Sequence, residues 1–237
     1  MTEVLVAEWD KFRKLASSAQ TDHAVPACPN WTVADLIEHV GRVYYFFAEM
    51  IRSAKERPFP FSEIPGPQVG AEIEWATLGL KSLVDEIGSR APEDFAWSWT
   101  NDKTVRWVER RLTHETLVHR WDLESALGAD LPTDRALASD CIDEVITSFV
   151  QGRKSDAALP SGSVHLHCND TEGEWIIEVR DGALDVRKEH AKGDAAVRGD
   201  AKSLALLMWR RLPLDGPEFM LFGDPKPASE FVAYGRL

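Results

Sequence analysis

Apolar residues in the first 150 positions recur every three or four places, the period of a helix buried along one side. Leu5, Trp9, Phe12 and Leu15/Ala16 form one such stripe and predict a first helix over 2–20. A second helix is predicted from Thr32 to about residue 56, with a stripe of Leu36, Val40, Val43, Phe47 and Met50/Ile51. Thr32 followed by Asp35 is a capping-box pair: the hydroxyl accepts from an early backbone N–H and the carboxylate sits at the positive helix end. The run RPFPFSEIPGP then places four prolines and a glycine in eleven residues and reads as a loop. Val69, Ile73, Ala76, Leu80, Leu83/Val84 and Ile87 predict a third helix over 68–89. A fourth is expected over 103–127, closed by Gly128 as a left-handed cap, and a fifth over 133–150. Helices with single apolar stripes bury them most simply against one another, as a bundle with a four-helix core.

The period changes after the polar, small-residue stretch QGRKSDAALPSG, which reads as a linker. Val164, Leu166 and Cys168 alternate with His165 and His167, and Trp175, Ile177 and Val179 alternate with Ile176, Glu178 and Arg180. Asp181-Gly182 predicts a tight hairpin into Leu184 and Val186, so a meander of about three antiparallel strands is expected. DAKSLALLMWRR, from Asp200 to Arg211, returns to helix, and the tail is expected to add a short edge strand and a last helix. The fold class is therefore α+β in two domains. A helical bundle takes residues 1–152, and a small α+β domain with a short antiparallel sheet takes 160–237.

Charge narrows the partners. With 27 Lys+Arg against 39 Asp+Glu, the formal net charge is −12. Basic residues occur in pairs such as Arg110-Arg111 and Arg210-Arg211 rather than in patches, which argues against nucleic acid and against an anionic membrane surface. No stretch has the length and apolarity of a membrane span, and the start lacks a basic segment followed by an apolar one, so a cytoplasmic location is expected. Three distant cysteines, Cys28, Cys141 and Cys168, without a CxxC pair, fit a reducing compartment.

Chemistry concentrates in RLTHETLVHRWDLESALG, residues 111–128. At about 100° per residue, Glu115 and His119 lie about 40° apart on one helix face, and Asp122 returns to it, whereas His114 points about 140° away from His119. A carboxylate and an imidazole four apart supply two metal ligands, as in other helix-borne sites. His39, beside the apolar stripe of the second helix, is the best source of a third. Three protein ligands leave a fourth position open, the arrangement of a catalytic zinc; Ni²⁺ or Fe²⁺ accept the same donors. A Glu–His pair at this spacing also serves as a surface salt bridge, and a His beside an apolar stripe as a core residue. The flanking Val108, Leu112, Leu123 and Ala126 favour the metal, because a buried Glu needs a partner to stay charged. Asp122 then orients a ligand imidazole, or else pairs with Arg120 at the surface.

PACPNWTVADLIEHVG at 26–41, HETLVHRWDLESALG at 114–128 and AAVRGDAKSLALLMWRRLPLDG resemble, in this order, the mycothiol-dependent maleylpyruvate isomerase family of DinB-like metal-binding bundles. The resemblance implies that His39, Glu115 and His119 bind Zn²⁺. It also implies that mycothiol is the cofactor, its thiolate adding to the double bond of maleylpyruvate or, in related proteins, attacking another small electrophile. It further implies a substrate-binding arginine at the end of the C-terminal-domain helix, matched best by Arg211 with Arg210 adjacent, although a cation there equally serves the helix C-terminus. Where the family often has Gly before that arginine, this chain has Arg210. Trp31 reads as a core residue or, because it closely precedes the His39 helix, as a residue lining the cofactor pocket. Cys28 reads as a ligand, a reactive thiol or a buried loop residue. His165 and His167 share one strand face and read as a metal pair or, more simply, as the exposed side of a small sheet.

Two other function classes remain at this stage: a hydrolase using metal-bound water, and a non-catalytic module binding a small ligand or partner. The sequence does not decide between monomer and dimer.

Overall fold

Four long helices carry the first unit: α1 (Thr2–Ala16), α2 (Val33–Ser53), α3 (Glu72–Gly88) and α4 (Val105–Leu127). The computed structural model describes residues 1–150 and 158–234. The Thr32–Asp35 capping box forms in both directions at the start of α2. Thr104 caps α4 by accepting from the Trp107 N–H, and Gly128 ends that helix in the left-handed region at φ 65°. The helices pair by their stripes, α2 along α3 and α1 along α4, with α2 also meeting α4. Leu5, Trp9 and Phe12, Leu36, Val40 and Phe47, Leu80 and Leu83, and Val108 and Leu112 are all buried in a common core. Val69 departs from its predicted stripe: it precedes α3 and is fully exposed, because the chain before Gly70 is still in the proline-rich loop.

Gly41 sets how closely α2 and α3 approach. A Cβ at this position would lie 2.4 Å from the Trp75 ring, so only glycine admits the contact. A buried charge group joins α1 to α4: the Arg120 guanidinium donates to Glu8 at 2.6 Å and to Glu124, with all three side chains nearly inaccessible. Arg120 is therefore occupied by these carboxylates.

The second unit starts earlier than the linker suggests, since the chain divides into Met1–Leu131 and Pro132–Leu237. The fifth helix, α5 (Arg135–Glu144), packs on α6 (Ala201–Met208), and it continues into a π-helical stretch, Val145–Val150. Of the predicted linker, residues 151–157 lie outside the described residues. The strands are β1 (Ser163–Cys168), β2 (Glu174–Arg180), β3 (Ala183–Arg187), β4 (Ala195–Gly199) and β5 (Met220–Gly223), followed by α7 (Pro225–Tyr234).

The sheet is larger than the expected meander and is mixed. Its order is β3-β2-β1-β4-β5, antiparallel throughout except for the central β1–β4 pair. β4 (AAVRG) is short and alanine-rich, so its alternation carries little signal. Asp181 and Gly182 at φ 51° and 75° make the predicted β2–β3 hairpin turn. Val164, Leu166, Cys168, Trp175, Ile177 and Val197 point to one buried face, and Trp175 Nε1 donates to Asp143 of α5 at 3.1 Å. Burial pushes the Cys168 thiol up to about 12, helped by the nearby charge of Asp170, which leaves it unreactive. The opposite face carries His165 and His167, and it is not the open surface expected: His165 is 3% exposed.

Candidate metal centre

The first unit brings His39 from α2 together with Glu115 and His119 from α4. His39 Nε2 donates to Glu115 Oε1 at 3.1 Å, and His119 Nε2 lies 3.2 Å from the same oxygen. One donor atom from each of the three falls within 4.8 Å of the others. The i,i+4 step on α4 supplies two members as anticipated, and packing of α2 on α4 supplies the third. Tyr44, five residues after His39, donates to Thr116 Oγ1 at 2.6 Å, and Thr116 in turn donates to the Leu112 carbonyl. This buried clamp fixes α2 against α4 beside Glu115.

Glu115 and His119 are each held from behind. Asp122 is fully buried, not at the surface, and its Oδ2 accepts from His119 Nδ1 at 3.0 Å. That bond turns Nε2 toward Glu115. Cys28 Sγ donates to the same Asp122 oxygen at 3.5 Å. Arg111 Nη2 donates to Glu115 Oε2 at 2.6 Å, leaving Oε1 to the two histidines. Arg111 escaped the sequence reading, although its position four residues before Glu115 on a buried helix was the available signal.

The electrostatics follow from this crowding. Burial alone would raise the Glu115 pKa, but the charges of His119 and Arg111 outweigh it and hold the carboxyl well below its ordinary range. Burial alone would lower the His119 pKa, but Glu115 and Asp122 hold it well above the ordinary imidazole value. Glu115 and His119 thus favour each other's charged form.

The loop before α2 forms the rim. Val25 N–H donates to the Trp31 carbonyl and Trp31 N–H to the Cys28 carbonyl, with Asn30 at φ 68° making the turn. Trp31 thereby packs at a tilt against His39, ring centroids 4.8 Å apart, and lies 6.4 Å from the His119 ring. Phe61 approaches His39 from the proline-rich loop at 6.4 Å.

Arg210 and Arg211 lie in the second unit, just beyond α6. Arg210 is exposed with φ 61°, and Arg211 is half-buried, its Nη1 donating to the Trp209 carbonyl at 2.8 Å. Among the described residues, no helix is long and apolar enough to cross a membrane.

Residues 3–124 match the mycothiol maleylpyruvate isomerase N-terminal domain, and residues 136–229 match the C-terminal domain of the same family. A crystal structure of the mycothiol-dependent maleylpyruvate isomerase superposes with a TM-score of 0.64 at 13% identity, covering 95% of this chain and 94% of that one. A histidine-to-alanine mutant of that enzyme superposes with a TM-score of 0.66 at 12% identity, with the same coverage. Likeness at this identity establishes a shared fold. No curated protein sequence matches the chain.

Proposed function

The chain belongs to the mycothiol maleylpyruvate isomerase family, and we propose that it is a zinc enzyme using mycothiol to isomerise maleylpyruvate or to modify another small electrophile. The observation that carries this proposal is the convergence of His39 Nε2 and His119 Nε2 on Glu115 Oε1. Two imidazoles and a carboxylate are the donor set of an open zinc site, and the donor spacing within 4.8 Å needs only a small contraction around an ion. Zinc with a free position lowers the pKa of a bound thiol and so supplies a nucleophile at neutral pH.

The remaining work falls to the chain's own groups. Asp122 holds His119 in the tautomer that offers Nε2, and Arg111 keeps Glu115 ionised and pointed at the two histidines. The Trp31 ring lies against the His39 ring, 4.8 Å between centroids. Arg211, with Arg210 beside it, is proposed to meet the negative charge of the substrate, a role that rests on the family resemblance. Three buried cysteines, far apart in the sequence, suit a reducing interior where a low-molecular-weight thiol is abundant.

Zinc analysis of the full chain, followed by maleylpyruvate turnover with and without mycothiol, tests the proposal. One zinc held by His39, Glu115 and His119, with turnover that requires mycothiol, is expected. A metal-dependent turnover indifferent to mycothiol would instead point to hydrolysis by bound water, and turnover that persists without metal would overturn the zinc assignment.

A further inference from the structure

The second unit carries another convergent donor set, built from the sheet rather than from helices. His165 and His167 alternate onto one face of β1, and the antiparallel register places Glu174 of β2 directly opposite His167. His190 reaches the same point from the loop between β3 and β4. Its Nδ1 donates to Glu174 Oε2 at 2.7 Å. The three rings surround the carboxylate with centroid separations of 5.2 to 6.3 Å, and one donor atom from each of the four residues lies within 4.8 Å of the others.

Hydrogen bonding leaves this set incomplete. His165 Nε2 is 3.5 Å from Glu174 Oε2 and His167 Nδ1 is 2.6 Å from Oε1, yet neither contact has hydrogen-bond geometry. Among the described residues both nitrogens are buried without a hydrogen-bond partner. The His165 side chain is 4% exposed, so water does not serve it freely. A buried polar atom without a partner is costly, and here two imidazole nitrogens beside the same carboxylate are left so. Imidazole nitrogens aimed inward together with a carboxylate are instead the donors a borderline cation takes.

We propose that His165, His167, His190 and Glu174 bind a divalent transition-metal ion of the zinc class, a site that uses none of the residues of the helical trio. Four protein donors fill a tetrahedral shell, the closed arrangement of a structural ion rather than the open one of a catalytic ion. Tetrahedral donors about 2.0 to 2.1 Å from zinc stand roughly 3.3 Å apart, so the four groups need to move inward only modestly. The ion would tie the β3–β4 loop to β1 and β2. That loop, from His190 to Asp194, together with Ala196, Arg198 and Phe222, borders a pocket of about 340 Å³. Metal binding would therefore fix one wall of that pocket.

Equilibrium dialysis of the full chain against Zn²⁺, followed by metal-free buffer and mass-spectrometric zinc analysis, tests the site first in four proteins. These are the wild type, His119→Ala, His167→Ala/His190→Ala, and the variant combining all three substitutions. The sheet site is expected to account for one retained zinc per chain that survives His119→Ala and disappears in His167→Ala/His190→Ala. Cobalt titration should give the visible absorption of a tetrahedral ion with nitrogen and oxygen donors, again lost in that variant. His190 is exposed, so His190→Ala alone guards against loss through misfolding, and at least tenfold weaker zinc retention is expected with an unchanged circular dichroism spectrum. Equal zinc content in wild type and His167→Ala/His190→Ala would overturn the proposal. If His119→Ala removes no zinc while His167→Ala/His190→Ala removes all of it, the sheet site stands and the helical assignment falls.

Discussion

The helical trio and the sheet cluster use the same kinds of donor but are assembled under different constraints. On α4, Glu115 and His119 are fixed to each other by one unbroken helix, so a single tertiary condition, the packing of α2 on α4, completes the set with His39. In the second unit, His165 and His167 are fixed by strand alternation, Glu174 by the β1–β2 register, and His190 by the course of a loop. Three conditions must hold there instead of one. A site on a helix face is thus stiffer and leaves an open position at little cost, whereas a site closed by a loop suits an ion that holds structure together.

The largest effect that tests this contrast comes from the trio itself. His119→Ala removes one of the three proposed ligands, and loss of the proposed zinc's contribution to nucleophile activation should cost about 4 kcal/mol of barrier, roughly 10³-fold in mycothiol-dependent turnover. Turnover within a factor of two of wild type, with no zinc lost, would break the assignment. A smaller effect probes the stiffness. Gly41→Ala drives a methyl into the Trp75 ring across the α2–α3 contact, and overpacking of this kind should lower unfolding stability by about 1–3 kcal/mol in urea titrations. Unchanged stability would mean that α2 shifts freely, and with it His39.

This difference in construction also governs what can be read from the chain without coordinates. The bundle was legible because its stripes, the Thr32 cap and the Gly128 stop all follow local rules, and Glu115 and His119 follow from helix period alone. His39 needed the added supposition that the polar edge of one stripe meets that of another. Arg111 was missed because a single arginine four residues before a glutamate is ordinary on any helix. In the second unit the Asp181-Gly182 hairpin was legible, but β4 was not, because Ala195 and Ala196 give an alternation no contrast. Burial of His165 was equally hidden, since alternation assigns residues to a face and not which face a loop will cover. The boundary of the helical domain was placed after α5 because amphipathic period identifies a helix and not the partner that its apolar side meets.

Support behind the trio should have intermediate weight. Asp122→Asn keeps the shape but weakens the hold on His119 Nδ1, and zinc affinity should fall 10- to 100-fold in a competitive chelator titration. Next comes proton competition. In the metal-free protein the raised His119 pKa contributes stability below the ordinary imidazole range that is lost as pH rises through the folded value. The lowered Glu115 pKa contributes stability above the ordinary carboxyl range that is lost as pH falls through the folded value. The metal-free pair is therefore most stabilising between the two ordinary values. Zinc must displace the His119 proton, so affinity should rise up to tenfold per pH unit until the raised pKa is passed. Calorimetry at neutral pH in buffers of different ionisation enthalpy should record about one proton released per zinc at the trio. No release would show that His119 is already neutral.

The smallest effect sharpens the contrast from the other side. His190 is exposed, and its bond to Glu174 lies at the surface, so in metal-free buffer His190→Ala should change unfolding stability by less than about 0.5 kcal/mol. With zinc present the same substitution should matter, because an ion bound only by the folded state stabilises it by RT ln(1 + [Zn²⁺]/Kd). At zinc 100-fold above Kd that is about 2.7 kcal/mol, and weakening the site tenfold removes about 1.4 kcal/mol of it. Thermal melts of wild type and His190→Ala should therefore coincide in chelator and separate in zinc. A separation already present in chelator would mean that His190 supports the loop by packing, and the sheet cluster would then resemble the helical trio in having a scaffold that stands without its ion.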